Sequence, residues 1–242
     1  MITAAVMLAL QAAAASTPAV PFGVGERMEY GGKFGFISAG SAELIVARID
    51  TVRGHPSWEF QFNSEVSVPL YKQRSEFSSR TGIRDWISRE FVKNVVENGR
   101  ERNEIFRIHP DSGFYRRNNN TETKATSELP LDNVAFFYWV RTIPLEVGKT
   151  YRFHRYFRAE HNPVIIRVEK RDRKEMPDGS KVPVLLLRPI VNEDGGMFHE
   201  KSKAKLWITD DARRIPVEIE TDLIVGNLKL ILRSYTPAPG SG

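Results

Sequence analysis

Apolar and polar residues alternate in short runs along this chain, and the pattern is clearest near its end. From Ala204 to Tyr235 the sequence reads AKLWITDDARRIPVEIETDLIVGNLKLILRSY, three runs broken at Asp210-Asp211 and at Gly226-Asn227. Successive side chains of a strand point to opposite faces. Leu206/Ile208, Ile215/Val217/Ile219 and Leu228/Leu230/Leu232 therefore each mark one buried face. Glu218, Glu220, Lys229 and Arg233 are left to face water. The spacing predicts an antiparallel meander with one wet side.

The same period runs upstream. Arg27 to Gly35 and Ser41 to Ile49 predict a first hairpin, turning through Ser38-Ala39-Gly40. Trp58, Phe60 and Phe62 alternate with Glu59, Gln61 and Asn63. Further strands are expected at 72–78, 83–88, 91–97, 102–109, 150–158, 164–174 and 182–191. The last two are joined through Pro177-Asp178-Gly179, an Asp-Gly hairpin signal. Asn118 to Glu128 is polar and Asn/Thr-rich and predicts a mobile loop. One helix is expected over Leu131 to Arg141, with Asp132 as its cap and Pro144 beyond its end. Roughly ten to twelve strands, twisting with a fixed hand, must curl. The fold class is therefore mainly β: a single strongly curved antiparallel sheet or partly open β-barrel with one short helix.

Composition narrows the chemistry. In 242 residues, 41% hydrophobic and 10% aromatic, there is material for a sizeable core, and the 27% charged fraction is ordinary for a folded domain. There are no cysteines, which removes disulfides, thiolate metal sites, a cysteine nucleophile and the lipid anchor of a lipoprotein. The net charge of +5 arises from 35 Lys/Arg against 30 Asp/Glu. The two signs are interleaved, as in VEKRDRKEMPDGSK (Val168 to Lys181), so the excess reads as solvated strand faces and not as a nucleic-acid site.

The N-terminus bears on the compartment. Ile2 to Ala15 is small and apolar, and Ala12-Ala13-Ala14-Ala15-Ser16 offers overlapping A-x-A cleavage sites. That is the pattern of a secretory signal peptide, too short to span a bilayer, although no Lys or Arg precedes the apolar run. No other run is long and apolar enough for a membrane helix. The expected organisation is a leader and short linker over 1–20, one antiparallel β domain over 21–236 and a disordered tail over 237–242. The expected location is the periplasm or elsewhere in a bacterial cell envelope.

Three segments carry a family resemblance: Pro21 to Val46 (PFGVGERMEYGGKFGFISAGSAELIV), Val140 to Tyr151 (VRTIPLEVGKTY) and Leu206 to Glu220 (LWITDDARRIPVEIE). In order and spacing the chain resembles the bacterial domain-of-unknown-function 3108 family, with Met28 where leucine is usual. The resemblance implies an exported, nearly all-β envelope domain and imports no catalytic residue. A curved sheet with a helix against its concave side is also similar, at the level of fold, to the Lol-type lipoprotein carriers, which hold acyl chains there. Fold-level similarity licenses no function by itself.

His55, His109, His154, His161 and His199 form no H-x-x-x-H or H-E-x-x-H pair, and no G-x-S-x-G elbow is present. Asp210-Asp211 fits a hairpin tip better than a calcium loop. Glu59, Glu65, Glu76, Asp85, Glu90 and Glu97 are the acids that facing strands might bring together as a hydrolase pair. The expected chain is thus not an enzyme and needs no metal or cofactor. The helix is apolar nearly all round, more than one buried face requires. Phe136 and Trp139 are accordingly the candidate ligand-binding residues, lining a hollow that accepts a hydrophobic or amphiphilic envelope ligand, while Val134 and Phe137 face the core. A second reading is a scaffold or assembly factor acting through an envelope protein partner or an anionic polysaccharide. A third is a hydrolase acting on envelope glycan or lipid.

Overall fold

The computed structural model describes residues 20–193, 197–223 and 226–240. The leader expected over 1–20 lies, but for Val20, outside the described residues. Fourteen strands and one α-helix follow one another: β1 (Arg27–Phe34), β2 (Ile37–Val52), β3 (His55–Val68), β4 (Tyr71–Gly82), β5 (Ser88–Glu97), β6 (Arg100–His109), β7 (Phe114–Arg117), β8 (Lys124–Ala125), α1 (Asn133–Trp139), β9 (Thr150–Phe153), β10 (Val164–Glu175), β11 (Lys181–Ile190), β12 (Lys205–Thr209), β13 (Pro216–Leu223) and β14 (Gly226–Thr236). All fourteen belong to one sheet of order β8-β7-β6-β5-β4-β3-β2-β1-β14-β13-β12-β11-β10-β9, every pair antiparallel. Two meanders thus meet where β1 pairs with the last strand.

Alternation decides which side is filled. Met28, Tyr30, Leu44, Phe60, Phe62, Leu206, Ile219 and Leu230 all come to the inner face and are buried. The edges do not pair with each other. A parallel bridge between Leu131 and Tyr156 draws the segment before α1 against the segment after β9, with Leu131 N donating to Arg155 O and Phe157 N to Leu131 O. The sheet is curved and strapped, but not closed into a barrel.

Several local expectations are corrected. The first hairpin turns at Gly35-Phe36, because Phe34 already pairs with Ile37. Gly40 lies inside β2 at φ +126, where a Cβ would sit 1.8 Å from the Glu65 carbonyl oxygen, so only glycine permits that approach. Residues 83–87 form a turn and not a strand: Trp86 takes φ +56, and Asp85 accepts from Ile87 N and Arg89. The polar loop after Asn118 is tethered, with Asn118 Oδ1 accepting from Ile105 N and Thr126 Oγ1 donating to Phe157 O. Glu218 and Glu220 take the outward register but are only 8% and 7% exposed, covered by Lys174 at 2.6 Å and Lys205 at 2.7 Å. Of the tail expected from 237, Ala238 is buried against the turn at Gly23.

Candidate functional site

Three places collect the residues of interest: the interior beneath α1, a buried ion pair beside it, and a groove on the opposite face of the same strands.

The helix is shorter than expected but starts where its cap predicts. Asp132 Oδ1 accepts from Val134 N and Ala135 N, and Ser79 Oγ donates to Oδ2 at 2.6 Å. Burial raises the Asp132 carboxyl above its ordinary range, against the lowering pull of these hydrogen bonds. Every residue from Val134 to Trp139 is buried. Tyr138 stacks on Phe60 at 4.0 Å, and Phe137 lies parallel to Phe62 at 6.1 Å. The two candidate residues point elsewhere. Phe136 packs on Phe198 at 4.9 Å, and Trp139 meets Phe153 edge-on beneath the Arg155 guanidinium. Both are buried, at 3% and 4% exposure, and their neighbours are other rings.

Immediately after α1, Arg141 forms a fork-to-fork pair with Glu26, at 2.9 and 2.8 Å, with both side chains fully buried. Its remaining donors reach Arg213 O and Pro21 O, and its plane lies 5.0 Å from the Phe22 ring. Tyr30 Oη donates to Pro216 O, and burial pushes that phenol far above its usual range. The three sequence segments that carry the family resemblance meet here, so this pair ties them together. The sequence reading missed it. Its signal was present, because Glu26 continues the inward run of Met28 and Tyr30, and a carboxylate in that register needs a buried cation.

The groove, about 780 Å³ in volume, crosses β1 to β5 on the outward register. Its floor is a row in which Glu29 faces Glu43, Glu43 faces Asn63, Asn63 faces Glu76 and Glu76 faces Asn94. Glu65 and Arg74, with Gln61 and Ser78, line the flanking rows. Asn63 Nδ2 donates to Glu43 at 2.9 Å, Arg27 lies 3.0 Å from Glu43 and 3.6 Å from Glu29, and Arg74 holds Glu76 at 2.6 Å. Acids outnumber cations along the lining, and two glutamates stand directly opposite each other, a destabilising arrangement for a sheet face.

A second row on the same face behaves differently. Arg48, Glu59, Arg80, Glu90 and Arg107 alternate in sign across β2 to β6. Arg48 and Arg80 approach Glu59 to 2.6 and 3.5 Å, and Arg80 holds Glu90 at 2.6 Å. Of the six acids weighed from sequence, Glu65 and Glu76 alone line the groove. Glu59 and Glu90 belong to the alternating row, while Asp85 pairs with Arg89 and Glu97 with Arg102. No group of three or more His, Cys, Asp or Glu among the described residues is placed to hold a metal ion, and no described helix is long and apolar enough to cross a membrane.

Comparison with known proteins places the fold. A crystal structure titled as a β-barrel-like protein of domain of unknown function DUF1849, from Brucella abortus, superposes with a TM-score of 0.56 at 10% identity, covering 90% of this chain and 99% of the other. Curated proteins give no match. The family model described as protein of unknown function DUF3108 matches residues 27–233. That span holds all three motif segments except Pro21 to Glu26 of the first, and the chain belongs to this domain-of-unknown-function 3108 family.

Proposed function

We propose that this chain is an exported, non-enzymatic binding protein of the bacterial cell envelope. Its ligand is the polar, hydroxyl- and amine-bearing part of an amphiphilic envelope component, seated in the outer groove. One observation carries the reading: Glu29 opposes Glu43 on a sheet face whose neighbouring row alternates in sign. Like charges across a strand pair weaken a sheet; the single Arg27 guanidinium shared by both carboxylates offsets part of that repulsion, and an amine-bearing ligand would relieve the rest. The amides of Gln61, Asn63 and Asn94 and the surrounding serines supply donors and acceptors for hydroxyls. The same acid excess argues against a phosphate-rich or otherwise anionic polymer in this groove. The non-enzymatic reading draws support from Asp132. Its carboxyl is shifted upward, as an acid catalyst requires, but it lies fully buried as a helix cap and not in the groove. Export rests on the Ile2 to Ala15 pattern and on the family resemblance.

Titration calorimetry with two probes, glucosamine oligomers and their N-acetylated counterparts, tests the reading. The amine-bearing oligomer is expected to bind more tightly. Glu43→Gln and Glu76→Gln should weaken it roughly tenfold, whereas Trp139→Phe should leave it unchanged. Failure of both oligomers to bind, or binding indifferent to the groove substitutions, overturns the proposal.

A further inference from the structure

We propose that the end of the sheet formed by the β1–β2 and β3–β4 hairpins is a membrane-docking edge. Its occupant is the surface of a bilayer containing anionic lipid. This inference is separate from the groove reading: Phe36, Leu70, Lys33 and Lys72 lie outside the groove, and the two regions share Arg74 and Glu65 at their boundary.

Two of the most exposed large apolar side chains in the molecule sit on these neighbouring tips. Phe36 is 107% exposed and Leu70 is 99% exposed, with Ile37 at 59% beside the first. The two hairpins are neighbours in the sheet: Gly40 of β2 pairs with Val66 of β3, and each tip lies four residues beyond that pair at the same end of the sheet.

Neither residue is there by default of the turn. Phe34 pairs with Ile37, leaving Gly35-Phe36 as a two-residue loop with Gly35 at φ +59. Glycine meets the backbone demand, and the position after it is free to be polar. Val68 pairs with Tyr71 around Pro69-Leu70, and Leu70 takes φ +66. A proline followed by a positive φ is the type II arrangement, whose third position belongs to glycine or asparagine. A leucine there is strained as well as exposed, and both unfavourable features are accounted for if the side chain has a partner outside the protein.

The surrounding charge selects the partner. Near the tips, Lys33, Lys72 and Arg100 have no ion-pair partner among the described residues, while the carboxylate of Glu97 is held by Arg102 at 3.7 Å and that of Asp222 lies 3.9 Å from Lys203. A cavity of about 280 Å³ between the β3–β4 and β5–β6 hairpins is lined by Lys72, Arg74 and Glu65 beside Val66 and Val96. Apolar tips flanked by unpaired cations fit an interface in which side chains enter the acyl boundary and ammonium groups meet lipid phosphates.

Co-sedimentation with vesicles tests this, using phosphatidylcholine alone and phosphatidylcholine mixed with phosphatidylglycerol. The full chain is compared with a Phe36→Ser/Leu70→Gly double variant and with Lys33→Gln/Lys72→Gln. All share the same N-terminus, so any contribution of that apolar segment cancels. Leu70→Gly also relaxes the left-handed backbone, so the double variant keeps its fold, checked by its denaturation midpoint. The wild type is expected to favour the phosphatidylglycerol vesicles. The double variant should bind them at least about tenfold more weakly, and the lysine variant should lose the preference between the two compositions. Equal sedimentation of wild type and double variant overturns the proposal. So does a wild type that ignores both vesicles, whether it remains monomeric or forms dimers that the double variant dissolves.

Discussion

The two faces of β1 to β5 carry charge in opposite ways. On the inner face the ion pair beside α1 is saturated: Arg141 meets Glu26 through two hydrogen bonds and spends its other donors on carbonyls. On the outer face Glu29 and Glu43 oppose each other, with Arg27 leaning across both. Burial explains the difference. A charge removed from water must be matched or the domain does not fold, whereas a solvated face tolerates mismatch because water screens it. Matching in the interior therefore reports on stability, and mismatch on the surface is free to report on function. The alternating Arg48–Glu59–Arg80–Glu90 row shows that the surface, too, is capable of matching.

The sharpest way to break the interior is to remove one partner of its ion pair. Arg141→Ala leaves the Glu26 carboxylate buried without a cation and is expected to destabilise by about 3–5 kcal/mol, a large part of a typical 5–15 kcal/mol total. Urea denaturation measures it, and a loss below about 1 kcal/mol would mean that water reaches Glu26. The rings of α1 come next. Phe136 and Trp139 are as buried as Phe137, so Phe136→Ala, Trp139→Ala and Phe137→Ala should each cost about 3–5 kcal/mol. Markedly smaller losses at Phe136 and Trp139 than at Phe137 would instead restore an existing hollow beside those two residues.

Much of the architecture was legible because the strand period is rigid. Leu206, Ile208, Val217, Ile219, Leu228, Leu230 and Leu232 are buried as their alternation requires, and Asp132 caps α1 as its position before the apolar run implies. Turn positions were harder. Gly40 looked like a hairpin tip, but it lies within β2, where a Cβ would strike the Glu65 carbonyl of the neighbouring strand β3, a contact between residues far apart in sequence. Register was likewise invisible. Glu29, Glu43, Asn63, Glu76 and Asn94 are ordinary polar residues one strand at a time, and they become a row only when four separate pairings align. Glu218 and Glu220 show the converse, since lysines on adjacent or neighbouring strands bury carboxylates that alternation assigns to water.

The smallest expected effect compares the two outer rows directly. Glu59 is 5% exposed with guanidinium groups of Arg48 and Arg80 on both sides. Glu59→Gln removes a charge that two cations stabilise and should cost about 1–2 kcal/mol. Glu43→Gln removes a charge that Arg27 attracts and Glu29 repels, and glutamine still accepts the Asn63 hydrogen bond. The two electrostatic contributions oppose each other at a partly solvated site, so stability should change by no more than about 0.5 kcal/mol in either direction. Raising the salt concentration should shrink whatever change Glu43→Gln produces while leaving most of the Glu59→Gln loss in place, because screening weakens exposed pairs more than buried ones. Denaturation midpoints of both variants at low and high salt provide the measurement. Equal, substantial losses at Glu43 and Glu59 would show that the groove row is held together as tightly as its neighbour. The like-charge opposition would then be structural, and the groove would lose its claim as the ligand seat.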